Sequence, residues 1–409
     1  MNFVAPCLFG LEGIVADELR RMDAENVVAE NGRVLFSGKD NILARANINL
    51  RTAERVLILV GKFKAKNFTE LFENVKNLPF ENFIGKNDAF PVKGWSLQSA
   101  LHSIPDCQKI IKKAIVERLK SKYSIGWFEE TGKKYQIQFS ILKDEVSIMI
   151  DTSGEGLHKR GYRANANEAP IKETLAAAFC SLARIYPDTR LFDPFCGSGT
   201  ILIEAALIAN NIAPGLKRGF VSEGFDFLDQ SAFRVERERA LDLISRTSDF
   251  HAFGSDIDGL SLEIAEKNAE KAGVSSNISF SKADIKDFSL DENRVLIITN
   301  PPYGERLLDI RQAEQLYKIM GEKFIKERGK KYYIITPDEQ FEKIFGREAD
   351  KRRKLYNGNI KCQLYMYFKA WFIAKTKINY EQIIKLCPFL TFFENSLILL
   401  LIFSKKVLK

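Results

Sequence analysis

The sequence predicts an α/β protein, in which a small α+β N-terminal half precedes a doubly wound C-terminal domain built on a parallel sheet. Three observations carry this. Residues 191–200 read Leu-Phe-Asp-Pro-Phe-Cys-Gly-Ser-Gly-Thr: an apolar run enters a glycine-rich turn, and the helix-forming Ile-Leu-Ile-Glu-Ala-Ala-Leu-Ile-Ala leaves it. Further apolar runs at 250–253, 278–281 and 295–299 each lead into a polar residue, Asp256, Asp284 and Asn300, with helical patterns following two of them. Ahead of residue 155 the pattern differs, with short strand pairs and isolated helical segments.

A chain of 409 residues is long for one domain, and its 45% hydrophobic content is ample for packed cores. The net charge of +8 favours a polyanionic partner such as nucleic acid without requiring one. Cys7, Cys107, Cys180, Cys196, Cys362 and Cys387 include no Cys-x-x-Cys pair, and there are three histidines, so neither a disulfide framework nor a metal site is expected. The first residues lack a basic stretch followed by a long apolar core, and the body of the protein is expected to be cytoplasmic. Residues 386–403 are apolar but interrupted by Pro388, Glu394 and Asn395, which suits an extension of unknown role better than a membrane anchor.

In order, 3–8 reads as a strand and 13–22 as an amphipathic helix with Ile14, Val15 and Leu19 on one side. Residues 27–29 and 33–37 form a strand pair across Asn31-Gly32. A second unit begins with a strand at 56–60. The following Lys62-Phe63-Lys64-Ala65-Lys66-Asn67-Phe68 suits phosphate contact with base stacking, and equally an edge strand whose aromatics face the core. Helices are predicted at 68–78 and 107–122, the latter with Ile111, Ala114, Ile115 and Leu119 opposite a lysine-rich face, and a hairpin at 135–142 and 145–151.

The connector 156–163, Gly-Leu-His-Lys-Arg-Gly-Tyr-Arg, is basic and glycine-punctuated, and a helix is expected to begin at 168 with Pro170 in its first turn. At the turn of 191–200, Gly197 and Gly199 permit close approach to the main chain, and the helix from Thr200 presents unpaired N–H groups. Asp193 would be unusual in a phosphate cradle, whereas an amino or sulfonium cation suits it. Residues 211–246 form an insertion without a readable function. Asp256, at the second strand's end, is the first choice for accepting ribose hydroxyls; Asp258 is the second, with capping of the 260–272 helix as its competing role. A helix at 312–327, a strand at 331–335, and a hairpin of 354–356 with 360–368 across Asn357-Gly358 complete the sheet. The run Lys351-Arg352-Arg353-Lys354 either touches phosphate or is simply solvated.

Three N-terminal stretches, Gly10-Leu11-Glu12 with Asp17-Glu18-Leu19, Arg51-Thr52-Ala53-Glu54-Arg55-Val56 and Lys112-Lys113-Ala114-Ile115-Val116, resemble the RNA-binding part of THUMP-domain RNA methyltransferases. The stretches Glu168 to Ala178, Asp-Pro-Phe-Cys-Gly-Ser-Gly-Thr and Asn-Pro-Pro-Tyr-Gly-Glu-Arg-Leu most resemble the bacterial enzymes that methylate guanine N2 in 23S ribosomal RNA. The resemblance spans residues 1 to 369. It implies a ferredoxin-like subdomain at 1–55, a THUMP domain at 56–155, a linker at 156–168, a class I (Rossmann-like) methyltransferase domain at 169–369 and an extension at 370–409. It further implies S-adenosyl-L-methionine as cofactor, held by Asp193, Phe195, Gly197, Gly199, Thr200, Asp256, Asp284 and Thr174, with Asp284 on the adenine amine. Asn300, Pro301 and Tyr303 are the expected catalytic residues. Two prolines stiffen that turn and leave the Pro301 carbonyl and the Asn300 side-chain oxygen as acceptors for the N–H bonds of an exocyclic amine, while Tyr303 offers a face for stacking the base. Ribosomal RNA is the expected partner and transfer RNA the alternative. A DNA adenine-N6 methyltransferase would share the Asn-Pro-Pro-Tyr logic, and a non-catalytic RNA-binding or assembly factor would need neither Asn300 nor Asp193.

Overall fold

The computed structural model describes residues 1–163, 171–289, 294–303, 310–325, 327–358 and 360–368. The expected helix start at 168–170, residues 304–306 after the proline turn, and the tail beyond 368 lie outside the described residues.

The N-terminal half runs β1 (Asn2–Pro6), α1 (Glu12–Arg21), β2 (Glu25–Glu30), β3 (Arg33–Ser37), α2 (Asp40–Asn49), β4 (Leu57–Lys64), α3 (Phe68–Lys76), β5 (Val92–Leu97), α4 (Ile104–Tyr123), β6 (Ile137–Leu142) and β7 (Glu145–Asp151). Its strands form one sheet in the order β2-β3-β1-β4-β7-β6-β5. The expected division at 55/56 therefore falls inside a continuous sheet, because β4 pairs with β1 through Phe3 and Ile58 on one side and with β7 on the other. This central position corrects the edge-strand reading of Lys62-Phe63-Lys64. Lys62 pairs with Glu30 at 3.1 Å and Glu145 at 2.9 Å, Phe63 packs on the core and Ala65 is buried, so this part of the basic-aromatic run is structural.

The C-terminal half runs α5 (Glu173–Ala183), β8 (Arg190–Asp193), α6 (Thr200–Ala209), α7 (Ala232–Asp242), β9 (His251–Asp256), α8 (Gly259–Ala272), β10 (Ile278–Lys282), β11 (Val295–Thr299), α9 (Ile310–Lys323), β12 (Lys330–Thr336), α10 (Phe341–Phe345), β13 (Lys351–Asn357) and β14 (Ile360–Tyr367). The sheet order is β10-β9-β8-β11-β12-β14-β13, parallel from β10 to β12, with β14 antiparallel to both its neighbours. Strand β11 is buried at every residue, as a central parallel strand with both faces covered must be. The order reverses between β8 and β11, and the carboxyl ends on either side of such a switch point open a crevice. The last hairpin is longer than the sequence expectation of 354–356 for its first strand, starting three residues earlier and ending one later. Asn357 pairs with Ile360, so Asn357 is the last paired residue of β13 and the turn begins at Gly358.

The insertion is a clasp between the halves. Ala213, Phe220, Phe225, Leu228, Phe233 and Ala240 join the hydrophobic core of the N-terminal sheet, and Phe225 stacks on Tyr135 with ring centroids 4.4 Å apart. Arg45 on α2 and Glu236 on α7 form a two-pronged ion pair at 2.8 and 2.9 Å. Leu11, from the N-terminal half, is buried in the core of the C-terminal half.

Candidate active site

A cavity of about 600 Å³ lies at the carboxyl ends of β8, β9 and β11 and the segment following β10. Asp193, Phe195, Gly197, Thr200, Asp256, Asp284, Asn300, Pro301 and Tyr303 all line it. Nine of the eleven sequence-expected site residues are thus brought together from four strand ends; Gly199 and Thr174 are not part of the lining.

The two glycines divide the work of the turn. Gly197 has φ of +50°, and a Cβ built on it meets no atom within 4 Å. Its main chain is open to the cavity, and its N–H donates to Asp256 Oδ2 at 2.9 Å. Gly199 has φ of +77°, and a Cβ there would lie 3.1 Å from Ala265 and 3.3 Å from Phe280, so this glycine packs α6 against α8 and β10 instead. Thr174 is also placed elsewhere: its hydroxyl is buried and donates to Glu54 at 2.8 Å, tying α5 to the N-terminal half. Thr174, expected beside the cofactor, is therefore placed outside the cavity lining, with its hydroxyl donating to Glu54.

Asp193 is 2% exposed and accepts from Thr299 Oγ1 at 2.7 Å and from the Phe195 N–H at 3.2 Å. Burial pushes its carboxyl up to about 7; the two hydrogen bonds pull it down and the charge of Asp256 adds to the rise. Thr299 was not singled out in the sequence, because a threonine closing an apolar strand looks like an ordinary β-former. Asp256 receives the Gly197 and Asp258 N–H groups, one on each oxygen, leaving further lone pairs for hydroxyls. Asp258 is the N-cap of α8, accepting from Leu260 N at 3.1 Å and from Ser261 N and Oγ, although it also borders the cavity. Asp284 caps the short turn at Ile285–Asp287 through Lys286 N at 3.0 Å.

Asn300 Oδ1 is buried and has no hydrogen-bond partner among the described residues. A buried acceptor without a partner carries a desolvation cost of about 1–3 kcal/mol, which a ligand N–H facing it would relieve. Tyr303 is 7% exposed, and its hydroxyl accepts from Asn357 Nδ2 at 3.1 Å. Arg163 supports the other end of the cavity, donating to Thr200 Oγ1 at 2.8 Å and to the Ile171 carbonyl at 3.0 Å, with Glu173 3.4 Å from its Nε. Its position in a basic connector concealed this role.

The donor set fits an adenosyl sulfonium amino acid. Asp193 suits a cationic end, the open Gly197 main chain suits close approach, Asp256 and Asp284 offer acceptors for hydroxyls and an amine, and Ile257 and Ile285 supply apolar walls for a flat ring. No cluster of potential metal ligands occurs among the described residues.

A doubly wound sheet in this order, with this cavity at its switch point, defines a class I S-adenosylmethionine-dependent methyltransferase. The RMKL-like methyltransferase domain matches residues 160–366, the RlmL ferredoxin-like domain residues 2–57 and the THUMP domain residues 65–151. The chain belongs to the THUMP-domain RNA methyltransferases of this RMKL-like family. It is 46% identical over 369 residues to YpsC of Bacillus subtilis, covering 90% of this chain and 96% of that protein. It is 32% identical over 374 residues to ribosomal RNA large subunit methyltransferase K/L of Shewanella frigidimarina, covering 90% of this chain and 52% of the relative, so the chain spans about half the length of that enzyme. Among solved structures, SMU.472 in complex with S-adenosylhomocysteine superposes with a TM-score of 0.84 at 42% identity, covering 90% of this chain and 97% of the other. A Clostridium difficile 630 protein gives a TM-score of 0.86 at 45% identity, with coverage of 90% and 97%. The described residues include no helix long and apolar enough to cross a membrane.

Proposed function

We propose that this protein methylates the exocyclic N2 amine of a guanine in 23S ribosomal RNA, with residues 1–155 gripping the RNA and residues 169–369 carrying out the transfer. The observation that carries the chemistry is the buried, unpartnered Asn300 Oδ1 in the same cavity as Asp193, Asp256 and Asp284. When bound, S-adenosylmethionine supplies an electrophilic methyl group on a sulfonium centre. An exocyclic amine is a weak nucleophile because its lone pair is delocalised into the ring. Asn300 Oδ1 and the Pro301 carbonyl accept its two N–H bonds, which favours a pyramidal nitrogen whose lone pair is directed at the methyl group. The alkylated amine is acidic and releases its proton without a strong general base. Tyr303 stacks the unpaired base, and the apolar cavity walls exclude water.

The K/L relatives' names support ribosomal RNA as the target, and YpsC is described only provisionally as an RNA methyltransferase. One relative favours a second reading. A Listeria monocytogenes protein of 46% identity and TM-score 0.84 is described as a predicted N6-adenine-specific DNA methylase, and adenine presents the same kind of amine. The THUMP domain argues for RNA. The deciding experiment maps modified bases in cells lacking the protein. Loss of one N2-methylguanine from 23S ribosomal RNA is expected; loss of a transfer RNA mark alone, or of DNA N6-methyladenine, overturns the proposal. In the purified enzyme, Asn300→Ala is expected to lower the transfer rate at least about 100-fold while leaving RNA affinity within about twofold of wild type, measured by single-turnover transfer and filter binding.

A further inference from the structure

We propose that Phe9, Lys351 and Lys354 form a platform for the unpaired RNA nucleotides next to the target base, at the seam where the N-terminal half meets the edge strand β13. The inference rests on the reading that one RNA is gripped by the N-terminal half and modified in the cavity. The loop that carries Phe9 is firmly held. Leu11 is wholly buried in the core of the C-terminal half, the Gly10 carbonyl accepts from Arg353, and Glu12 accepts from the Gly10 and Gly32 N–H groups, each at 2.9 Å. Gly10 has φ of +88°, and a Cβ there would lie 3.2 Å from the Lys354 carbonyl oxygen, so loop and strand meet backbone to backbone. On this fixed loop the Phe9 ring rests against Gly32 and is still 54% exposed. Burying the ring would have stabilised the fold; left in the open it offers a flat apolar face on which any base can stack.

The charge beside the ring has the sign that RNA requires. In the run 351–354, Arg352 is neutralised by Glu342 and Arg353 donates to Gly10. Lys351 and Lys354 are exposed, and neither is ion-paired among the described residues; Lys354 Nζ lies over the Tyr356 ring, 5.6 Å from its centroid. Cations without an acidic partner are free to neutralise phosphates and release their counterions. The platform also leads to the cavity. Because β13 runs parallel to β12, through the intervening antiparallel β14, its carboxyl end lies on the same side of the sheet as Asn300. From Lys354 the strand advances about 10 Å to Asn357, whose Nδ2 donates to Tyr303 in the cavity wall. An RNA strand whose target base enters the cavity therefore has neighbouring nucleotides within reach of β13 and Phe9.

The test measures binding of the full chain to 23S ribosomal RNA from cells lacking the protein, by filter binding over a series of salt concentrations. Phe9→Ala is expected to weaken RNA binding about tenfold at every salt concentration, because one stacked base is lost. Phe9→Leu, which keeps apolar bulk without a flat face, is expected to be as weak, and Phe9→Trp to match the wild type. Lys351→Ala combined with Lys354→Ala is expected to lower the slope of log affinity against log salt by about 1.5, as the loss of two phosphate contacts requires. S-adenosylhomocysteine affinity is expected to stay within about twofold of wild type in every variant. RNA affinity of Phe9→Ala within about twofold of wild type, full recovery in Phe9→Leu, an unchanged salt slope in the lysine double variant, or a parallel loss of cofactor affinity overturns the proposal. If the wild type binds transfer RNA in preference to 23S ribosomal RNA, the ribosomal reading fails, and the same variants titrated with transfer RNA decide the platform by the same outcomes.

Discussion

At the scale of single residues, Asp193 is the group whose chemistry is most exposed to pH. To hold a cationic ligand it must be ionised, and its buried carboxyl sits at about 7. Burial is the main cause of that rise and the charge of Asp256 a smaller one, while the nearby Cys180 and Cys196 thiols are pushed well above their usual range by burial and stay protonated near neutrality. S-adenosylhomocysteine affinity, followed by calorimetry, is therefore expected to rise from pH 6 to 8 and level off. Thr299→Val moves that rise to higher pH by removing the 2.7 Å bond, and Asp193→Asn abolishes it. A flat profile in the wild type would refute this role for Asp193. In the ligand-free protein the same shift has the opposite sign for folding. Between the ordinary 3.8 and about 7 the native state retains a proton that the unfolded chain has released, so this group's contribution to stability falls as pH rises through that window. The residue types at Asp193 and Asn300 revealed this site in the sequence. Thr299, Arg163 and Asn357 did not, because each is bonded to a partner distant along the chain, 106, 37 and 54 residues away respectively.

At the scale of elements, helix α7 shows how a segment unreadable in sequence acquires a role. Its charges look like a solvated face, yet Glu236 is 4% exposed at the side chain and clamps Arg45, which also bonds the Met22 carbonyl and Asp23. Replacing Glu236 by alanine leaves Arg45 partly buried without its main partner. A loss of about 3 kcal/mol in unfolding free energy is expected, read from urea denaturation, with glutamine costing less. A change below about 0.5 kcal/mol, the scale of an exposed pair, would show that the clamp does not stabilise the fold. By contrast, β11, α8 and the 31–32 turn were legible because their signals are local. A continuous apolar run, a helical pattern ending at Gly273, and an Asn-Gly turn need no knowledge of neighbours. Helix α2, strand β5 and helix α10 carried no comparable pattern. The Lys351–Lys354 run proved to lie on β13, the edge strand of the sheet, where Arg353 also donates to the Gly10 carbonyl.

At the scale of the whole molecule, the two halves are interlocked rather than strung together. The clasp residues of the insertion complete the N-terminal core, while Thr174 and Lys172 reach back to Glu54. Arg160 and Glu204, both buried, lie 3.4 Å apart at the junction, and Arg160 also donates to the Arg51 carbonyl. Each buried phenylalanine contributed by the insertion is worth about 1.5–3 kcal/mol. A fragment of residues 1–155 is therefore expected to bind a hydrophobic dye and melt without a cooperative transition. Cooperative unfolding of that fragment, seen by circular dichroism, would show that the N-terminal sheet is self-sufficient.

What the sequence by itself determined was the set of chemical groups and the local elements that carry them: a glycine turn with an aspartate before it, acids at two strand ends, and the Asn-Pro-Pro-Tyr turn. These are short-range patterns, and the physics that makes them is short-range as well. Only the tertiary structure decided which groups face the same cavity. It placed Thr174 against Glu54, gave Gly199 to packing, turned Asp258 into a helix cap and brought Asn357 under Tyr303. The reason is that orientation and partner depend on strand register and on which faces are covered, and a one-residue change in register reverses which side a side chain faces.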